Sequence, residues 1–508
     1  MPLTIQDHSK SMGQPPLCEQ LKVRDIADDL LVQVNGSFVA GYAVSGINSY
    51  YASDEERNRT KLSLEALVRS LPERSLRMQA RFEIAEGTGD LIARYNREQK
   101  NPSRVLQALD REHQDAWLKK DADGFYLRHF LHFYFVWDAR VHHQSPDLQW
   151  KKKMRSGSFS PSATKCIARS RREHEGLVAE FRSLMAGVEA TLQSTGIKLT
   201  RMSGDDLFLE IKRALHPLGN DVVPYRPPET LIFYESARSQ IANVNVEDEL
   251  DDHLKIGGLL YSFISLKDLP DATFPGVLRN LVVMDFPIVI NAEVVLPDQA
   301  KAVKQYKSRL RKMTAAQKDI HGGFRLNVDA QVAEHQLVKV LQDLISSSLK
   351  ACQMSLIVMV RTSKPCRNGT EREEAARILA GRRQRLLHAI ACMNGSRGIP
   401  ETLAQKRLFF TGLPAMGGEN RRGLDLAHLE RSRSVARRDA LARNTEFTAD
   451  ASWDSLPATA AFLAVRCEPR RRQHAHHGEN RRRQNVYGPA LSAHDGAREP
   501  ADLDHRAG

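Results

Sequence analysis

Cysteine is scarce and scattered. Cys18, Cys166, Cys352, Cys366, Cys392 and Cys467 stand singly along 508 residues, with no Cys-x-x-Cys pair. Such spacing frames neither a disulfide scaffold nor a zinc site, and it fits a reducing compartment. No apolar segment follows a basic start, because Met1–Gln20 is polar and carries Pro15-Pro16, so no secretory signal is predicted. The longest apolar stretch, Leu281–Leu296, is broken by Asp285, Pro287, Asn291 and Glu293 and is too short to span a bilayer. These absences read as a cytoplasmic protein. Also missing are a GxxxxGK[ST] phosphate loop, a GxGxxG after a strand, HExxH and GxSxG. The glycine pairs Gly257-Gly258, Gly322-Gly323 and Gly417-Gly418 have no Lys-Ser/Thr behind them, so they are read as turns or close-packing points. No catalytic residue and no metal ligand is assigned.

What is present suffices for a core. Hydrophobic residues make up 41% and charged residues 27%, near globular averages, which excludes a wholly disordered or collagen-like chain. The net charge of +12 favours an acidic partner such as nucleic acid, anionic lipid or nucleotide, but it speaks to association and not to fold.

Leu30–Gly46 places two β-rich runs around Asn35-Gly36, a hairpin signal because both residues tolerate positive φ. Ser53 with Glu56 forms a capping box ahead of Leu64, Leu67, Val68 and Leu71, which share one helical face. In Leu76–Ile84 the apolar residues alternate at period two and predict a strand. A polar helix is expected over 103–121. The aromatic run Phe125–Trp137, interleaved with Arg128, His129 and His132, admits a base-stacking surface, but strand preference for aromatics favours a buried strand of the same sheet. Lys151–Ser162 reads as a loop, and helices follow over 167–195 and 203–216. His216-Pro217 and Pro224–Pro228 interrupt helix and mark a boundary.

Glu247–Asp252 could be imagined as a metal or general-base cluster; consecutive carboxylates diverge on any regular element, so a solvated loop is the preferred reading. Strands are expected at 256–265, 281–284, 287–296 and 353–362, with helices over 297–320, 328–350 and 370–393. The predicted class is α/β, with an α+β amino-terminal layer followed by a mixed α/β central domain. The expected organisation is a disordered start over 1–20, an amino-terminal domain with a helical insertion over 21–222, a central domain over 223–423, and a disordered tail over 424–508.

Four segments carry a resemblance: Val34–Gly46 (VNGSFVAGYAVSG), Ile256–Pro270 (IGGLLYSFISLKDLP), Asp285–Asn291 (DFPIVIN) and Thr411–Met416 (TGLPAM). In order and spacing, over about residues 20–423, they resemble the amino-terminal part of the CagE/TrbE/VirB family, the large ATPases of type IV secretion and conjugal DNA transfer. The resemblance implies an α/β half docked on inner-membrane channel proteins, peripheral to that membrane, and, in the family, a RecA-like motor that binds ATP and Mg and is commonly hexameric. It also implies self-association with the intact ATPase and no small-molecule substrate.

The last 85 residues differ in kind: they hold no Lys and no Ile, but fourteen Arg and six His. His474–His477 (HAHH) suggests a metal tract, and the triplets Arg470–Arg472 and Arg481–Arg483 suggest nucleic-acid binding. A third reading is translation out of frame. Arg481-Arg482-Arg483-Gln484-Asn485 permits CGG CGG CGG CAA AAC, which read one nucleotide later gives Gly-Gly-Gly-Lys-Thr. The same shift over Pro469–Asn485 permits SLADANMLIMAKTGGGKT, an apolar strand entering a Walker-type loop, though Ala stands where the pattern's first Gly belongs. The expectation is a frameshift near Leu424–His428, with Gln484 and Asn485 standing where the Walker Lys and Thr would be. Such a chain binds no cofactor and hydrolyses no ATP. Two alternatives remain: a non-enzymatic scaffold, and a basic nucleic-acid-binding protein using residues 365–423, where eleven Lys plus Arg face five acids.

Overall fold

A computed structural model describes residues 17–427 apart from 46–52, 88, 99–102, 123, 125, 143–162, 195, 220–222, 228–234, 249–251, 269–276, 317–327, 347–349, 394–395, 419, 421 and 423. In chain order the first elements are α1 (Leu17–Gln20), β1 (Val23–Ala27), β2 (Leu30–Gln33), β3 (Phe38–Ser45), α2 (Asp54–Ser70) and β4 (Leu76–Glu86). Next come α3 (Gly89–Glu98), α4 (Arg104–Ala122), β5 (Leu127–Trp137), α5 (Ala139–His142), α6 (Ala163–Gln193), β6 (Lys198–Arg201), α7 (Gly204–Leu215) and α8 (Ala237–Ile241). There follow β7 (Val246–Glu247), β8 (Leu254–Ile256), β9 (Leu259–Asp268), α9 (Arg279–Val282), β10 (Ile288–Val295), α10 (Gln299–Ala316), α11 (Val328–Ile345) and β11 (Ala351–Arg361). The series closes with α12 (Gly369–Ala391), β12 (Arg397–Glu401), α13 (Gln405–Gly412) and β13 (Leu424–Ala427).

The fold is mixed α/β, and its strands form one sheet in the order β1-β2-β3-β5-β4-β10-β11-β9-β8-β7, with β6 on β3, β12 on β9 and β13 on β11. Every pairing among the described strands is antiparallel. Alternation of strands with long helices therefore does not produce parallel crossovers here. The expected boundary at 217–228 lies between elements, while the strands on either side of it join: β4 pairs with β10 along its length, Ile84 opposite Ile288 and Arg77 opposite Val295.

Local sequence explains several elements directly. Asn35-Gly36 turns β2 into β3, with Gly36 at φ +84, the left-handed region in which glycine carries no Cβ penalty. The Ser53 side chain accepts from Glu56 N while Glu56 returns the bond to Ser53 N, so two orphan amides at the start of α2 are satisfied. The run 256–265 is split by Gly257 (φ +56) and Gly258 (φ +86), two consecutive left-handed residues that close a hairpin between β8 and β9.

Three expectations are corrected, the first being the disordered start over 1–20, whose last four residues Leu17–Gln20 form α1. Residues 281–284 are not a strand: Arg279–Val282 forms α9, because Leu278, Leu281 and Val282 bury together on one helical face against α12. The expected disordered tail begins with a strand, since Leu424–Ala427 pairs with Met354–Ala351 of β11. Residues 1–16 and 428–508, with the expected disorder there, lie outside the described residues, as does the expected loop 151–162.

Each face of the sheet carries a core. One face presents Leu76, Met78, Ala80, Phe82 and Ile84 of β4 beside Phe133, Phe135 and Trp137 of β5, covered by α2, α6 and α12. Phe181 of α6 stacks on Trp137 with ring centroids 5.7 Å apart. The aromatic run is thus a buried strand, as its composition favoured. On the opposite face α7, α8 and α13 bring Phe208, Ile241 and Phe409 against Val39, Tyr134 and Tyr261.

Helix α7 approaches the sheet closely because β3 carries Gly41 there: a Cβ at that position would stand 2.4 Å from Leu207 Cδ2 and 3.1 Å from Met202 Sδ. Gly41→Val is expected to lower unfolding stability by about 1–3 kcal/mol through overpacking, read as a shifted urea midpoint. Cys352 is 3% exposed, and burial pushes its thiol up to about 12, whereas Cys392 is exposed. Because the thiolate is the reacting species, iodoacetamide at neutral pH should label Cys392 in the native protein and spare Cys352 until denaturant is added.

Candidate functional site

The apolar alternation of β4 leaves Arg77, Gln79, Arg81 and Glu83 on its other face, and these residues do not face open solvent. Gln79 is 0% and Arg81 2% exposed. A buried amide or guanidinium costs stability unless its hydrogen bonds are made. They are made by a segment more than three hundred positions away in the chain.

That segment is the end of α13 and the loop that follows it. Gln79 Nε2 donates to Asn291 Oδ1 at 2.7 Å, to Leu413 O at 3.0 Å and to Thr411 O at 3.5 Å, while its Oε1 accepts from Ala415 N at 2.8 Å. From β2, buried Gln33 donates through Nε2 to Ala415 O at 2.7 Å. Arg81 Nε donates to Gly412 O at 3.3 Å. Glu293 of β10 accepts the Gly418 N–H at 2.7 and 3.0 Å, and Lys22 Nζ donates to Gly417 O at 2.8 Å. Side chains of β2, β4 and β10, together with Lys22 ahead of β1, thus grip a series of backbone groups between Thr411 and Gly418.

The grip explains the glycine pair. A Cβ on Gly417 would lie 1.3 Å from Glu293 Oε1, and one on Gly418, at φ +93, would lie 2.1 Å from Arg77 Nη1. Close packing, one of the two roles read from the sequence, is what these glycines provide. Ala415 adopts φ 63, a left-handed conformation costing a non-glycine about 1 kcal/mol, and hydrogen bonds on both of its backbone groups hold it there.

Farther along the same face lies a charged group of side chains. Arg81 is bonded to Glu83, Arg361 Nη1 stands 3.4 Å from Glu86 Oε2, and His132 Nδ1 stands 3.9 Å from Glu210 Oε2. Burial alone would raise the Glu83 carboxyl, but the Arg81 guanidinium, helped by Arg361, holds it below the usual carboxylate range. Burial lowers His132, against the opposing pull of the Glu210 carboxylate. The Tyr134 hydroxyl is raised well above its usual value, chiefly by burial, and burial pushes Tyr261 up to about 12. Nothing in this arrangement pairs a nucleophile with a general base; its chemistry is the holding of backbone.

The residues singled out in the sequence fall elsewhere. Gln484, Asn485, His474–His477 and both Arg triplets lie outside the described residues. Of the acidic stretch, Glu247 pairs with Lys255 at 2.9 Å and Asp248 with Lys406 at 3.1 Å, so the described carboxylates point to separate partners. Among the described residues no group of three or more His, Cys, Asp or Glu is placed to hold a metal ion. Several basic residues of 365–423 are engaged within the chain: Arg382 and Arg385 lie over the Phe286 ring, Arg385 pairs with Asp285 at 2.8 Å, and Arg422 pairs with Glu401. Among the described residues no helix is long and apolar enough to cross a membrane.

Gln79→Leu would orphan the Ala415 amide and the carbonyls it now serves, so a loss of about 2–4 kcal/mol is expected in urea unfolding. The depressed Glu83 carboxyl adds an acid limit. Its contribution is fully present above the carboxylate's unfolded value and is lost as pH falls through the lower folded value; Glu83→Gln should flatten the acid limb of a stability–pH profile while lowering stability at neutral pH. Comparison with known proteins returned no matching family model and no matching curated protein.

Proposed function

We propose that this chain is the channel-docking part of a type IV secretion or conjugal-transfer ATPase of the CagE/TrbE/VirB type, carried without its Walker loop. One observation supports the reading best. The segments that carry the resemblance are scattered over the sequence, yet Asn291 of DFPIVIN and Thr411–Ala415 of TGLPAM bond the same Gln79 amide, and Gln33, next to VNGSFVAGYAVSG, bonds Ala415. The remaining segment, Ile256–Pro270, supplies the turn out of β8 and the whole of β9, and β9 pairs with β11 beside β10. Order and spacing along the chain thus coincide with contact in the fold, which is what an inherited structural unit requires.

On this reading the chain sits at the cytoplasmic side of the inner membrane through channel proteins and associates with intact copies of the ATPase. ATP and Mg belong to the intact parent. Gln484 and Asn485 offer neither the charge that holds β- and γ-phosphates nor the hydroxyl that holds the metal, so no hydrolytic step is assigned to this chain. The nucleic-acid alternative is disfavoured by the internal pairing of Arg382, Arg385 and Arg422.

The test is genetic and comes first: resequencing from the Ala415 codon to well past the stop. Continuation of the next frame through Gly-Gly-Gly-Lys-Thr into a long motor-coding region is the expected result. A shifted frame that closes at once, or that encodes unrelated residues, overturns the proposal and leaves the scaffold reading. The purified chain itself should release no phosphate from ATP above a no-protein control.

A further inference from the structure

We propose a second site, independent of the family reading: a cationic cleft at one end of the sheet that binds small phosphate-class anions. The cleft holds about 490 Å³, within the usual range for small-ligand sites. Lys22 ahead of β1, Asn35 and Ser37 of the β2–β3 turn, Arg74 and Arg77 at the start of β4, and Arg238 of α8 line it. These residues come from four separate stretches of chain, so the fold, and not a local run of basic sequence, gathers the charge.

The charge is incompletely balanced. Two carboxylates also line the cleft, Glu19 and Asp138. Asp138 is already engaged, accepting from Arg140 N at 3.0 Å and facing Arg140 Nε at 3.5 Å. Arg74 reaches Asp298 only at 4.0 Å, across an exposed surface, and Arg238 makes no ion pair among the described residues. Several like charges on a concave wall focus a positive potential that a compact dianion relieves. Guanidinium forks match two oxygens of one phosphate, which favours phosphate over a monovalent anion.

The backbone points the same way. Arg74 is a non-glycine residue at φ 63, held there by its N–H bond to Leu296 O at 2.7 Å. Strain of this kind at the rim of a charged cleft is a feature of ligand clamps. Two lining residues also serve the Thr411–Gly418 segment, since Lys22 donates to Gly417 O and Arg77 stands against Gly418 and 3.7 Å from Glu293. An anion in the cleft therefore draws on the same cations that seat that segment, and the two bindings are thermodynamically linked.

The test is calorimetric titration of the full chain with sodium pyrophosphate at constant ionic strength, chloride making up the balance. The variants are Arg238→Gln and Arg74→Gln, whose side chains lie outside the Gln79 grip. Saturable binding that weakens about tenfold in each variant, as expected for losing one charge-assisted pair, supports the site, provided both variants keep the unliganded melting temperature. Absence of saturable heat overturns it, and so does equal affinity in wild type and both variants. A single-stranded oligonucleotide that binds where pyrophosphate does not would overturn the small-ligand assignment in favour of a nucleic-acid surface. None of these outcomes depends on the reading frame beyond Gly418, so failure here leaves the secretion reading untouched.

Discussion

The pairing of β4 with β10 is the joint on which the molecule depends. Eight consecutive residues of each strand are in register, Ile288 opposite Ile84 through Val295 opposite Arg77. Because side chains alternate across a strand, this one register sets both faces of the sheet at once. On one face it aligns Phe82 and Ile290 within the larger apolar core. On the other it brings Gln79 within reach of Asn291, and Arg77 of Glu293. A slip of one residue would exchange these sets, driving carboxylate and guanidinium into the apolar layer and setting apolar side chains among the polar partners.

The polar face is therefore a consequence of the joint, and it has a structural use that an apolar face would not have. Apolar packing is indifferent to small shifts of a covering loop, whereas hydrogen bonds to successive carbonyls and amides fix one backbone position. Gln79, Gln33 and Glu293 together specify where Leu413, Ala415 and Gly418 lie. The cost is that each buried polar atom must find its partner. The Tyr134 and Tyr261 hydroxyls find none among the described residues, and burial raises both above the usual tyrosine value.

How much of this was legible beforehand follows from distance along the chain. Asn35-Gly36, the Ser53–Glu56 box and the alternation of Leu76, Met78, Ala80, Phe82 and Ile84 act within a few residues, so pattern alone located the hairpin, the helix start and the strand. The aromatic run of β5 was also readable, since strand preference and burial agree there. By contrast, alternation is silent about what covers the intervening positions. Gln79 was unreadable because its partners are 212 and 336 positions away. Leu281 to Met284, expected as a strand, differs for a related reason: the packing of Leu278, Leu281 and Val282 on α12 closes a helical turn that the local pattern does not announce. The resemblance pointed to TGLPAM without any indication that it seals the polar face.

The seal has a meaning for synthesis. Chains emerge from the ribosome amino end first, so Gln33, Gln79, Asn291 and Glu293 are all made before the backbone that satisfies them. Until Gly418 has cleared the exit tunnel, these side chains lack the backbone groups that satisfy them in the fold and are left to water. Any nonsense or frame-shifting lesion ahead of Thr411 should produce a product destined for degradation. A lesion a few codons beyond Gly418 spares every bond of the grip, so the underside of the sheet is sealed whatever the chain reads from there on.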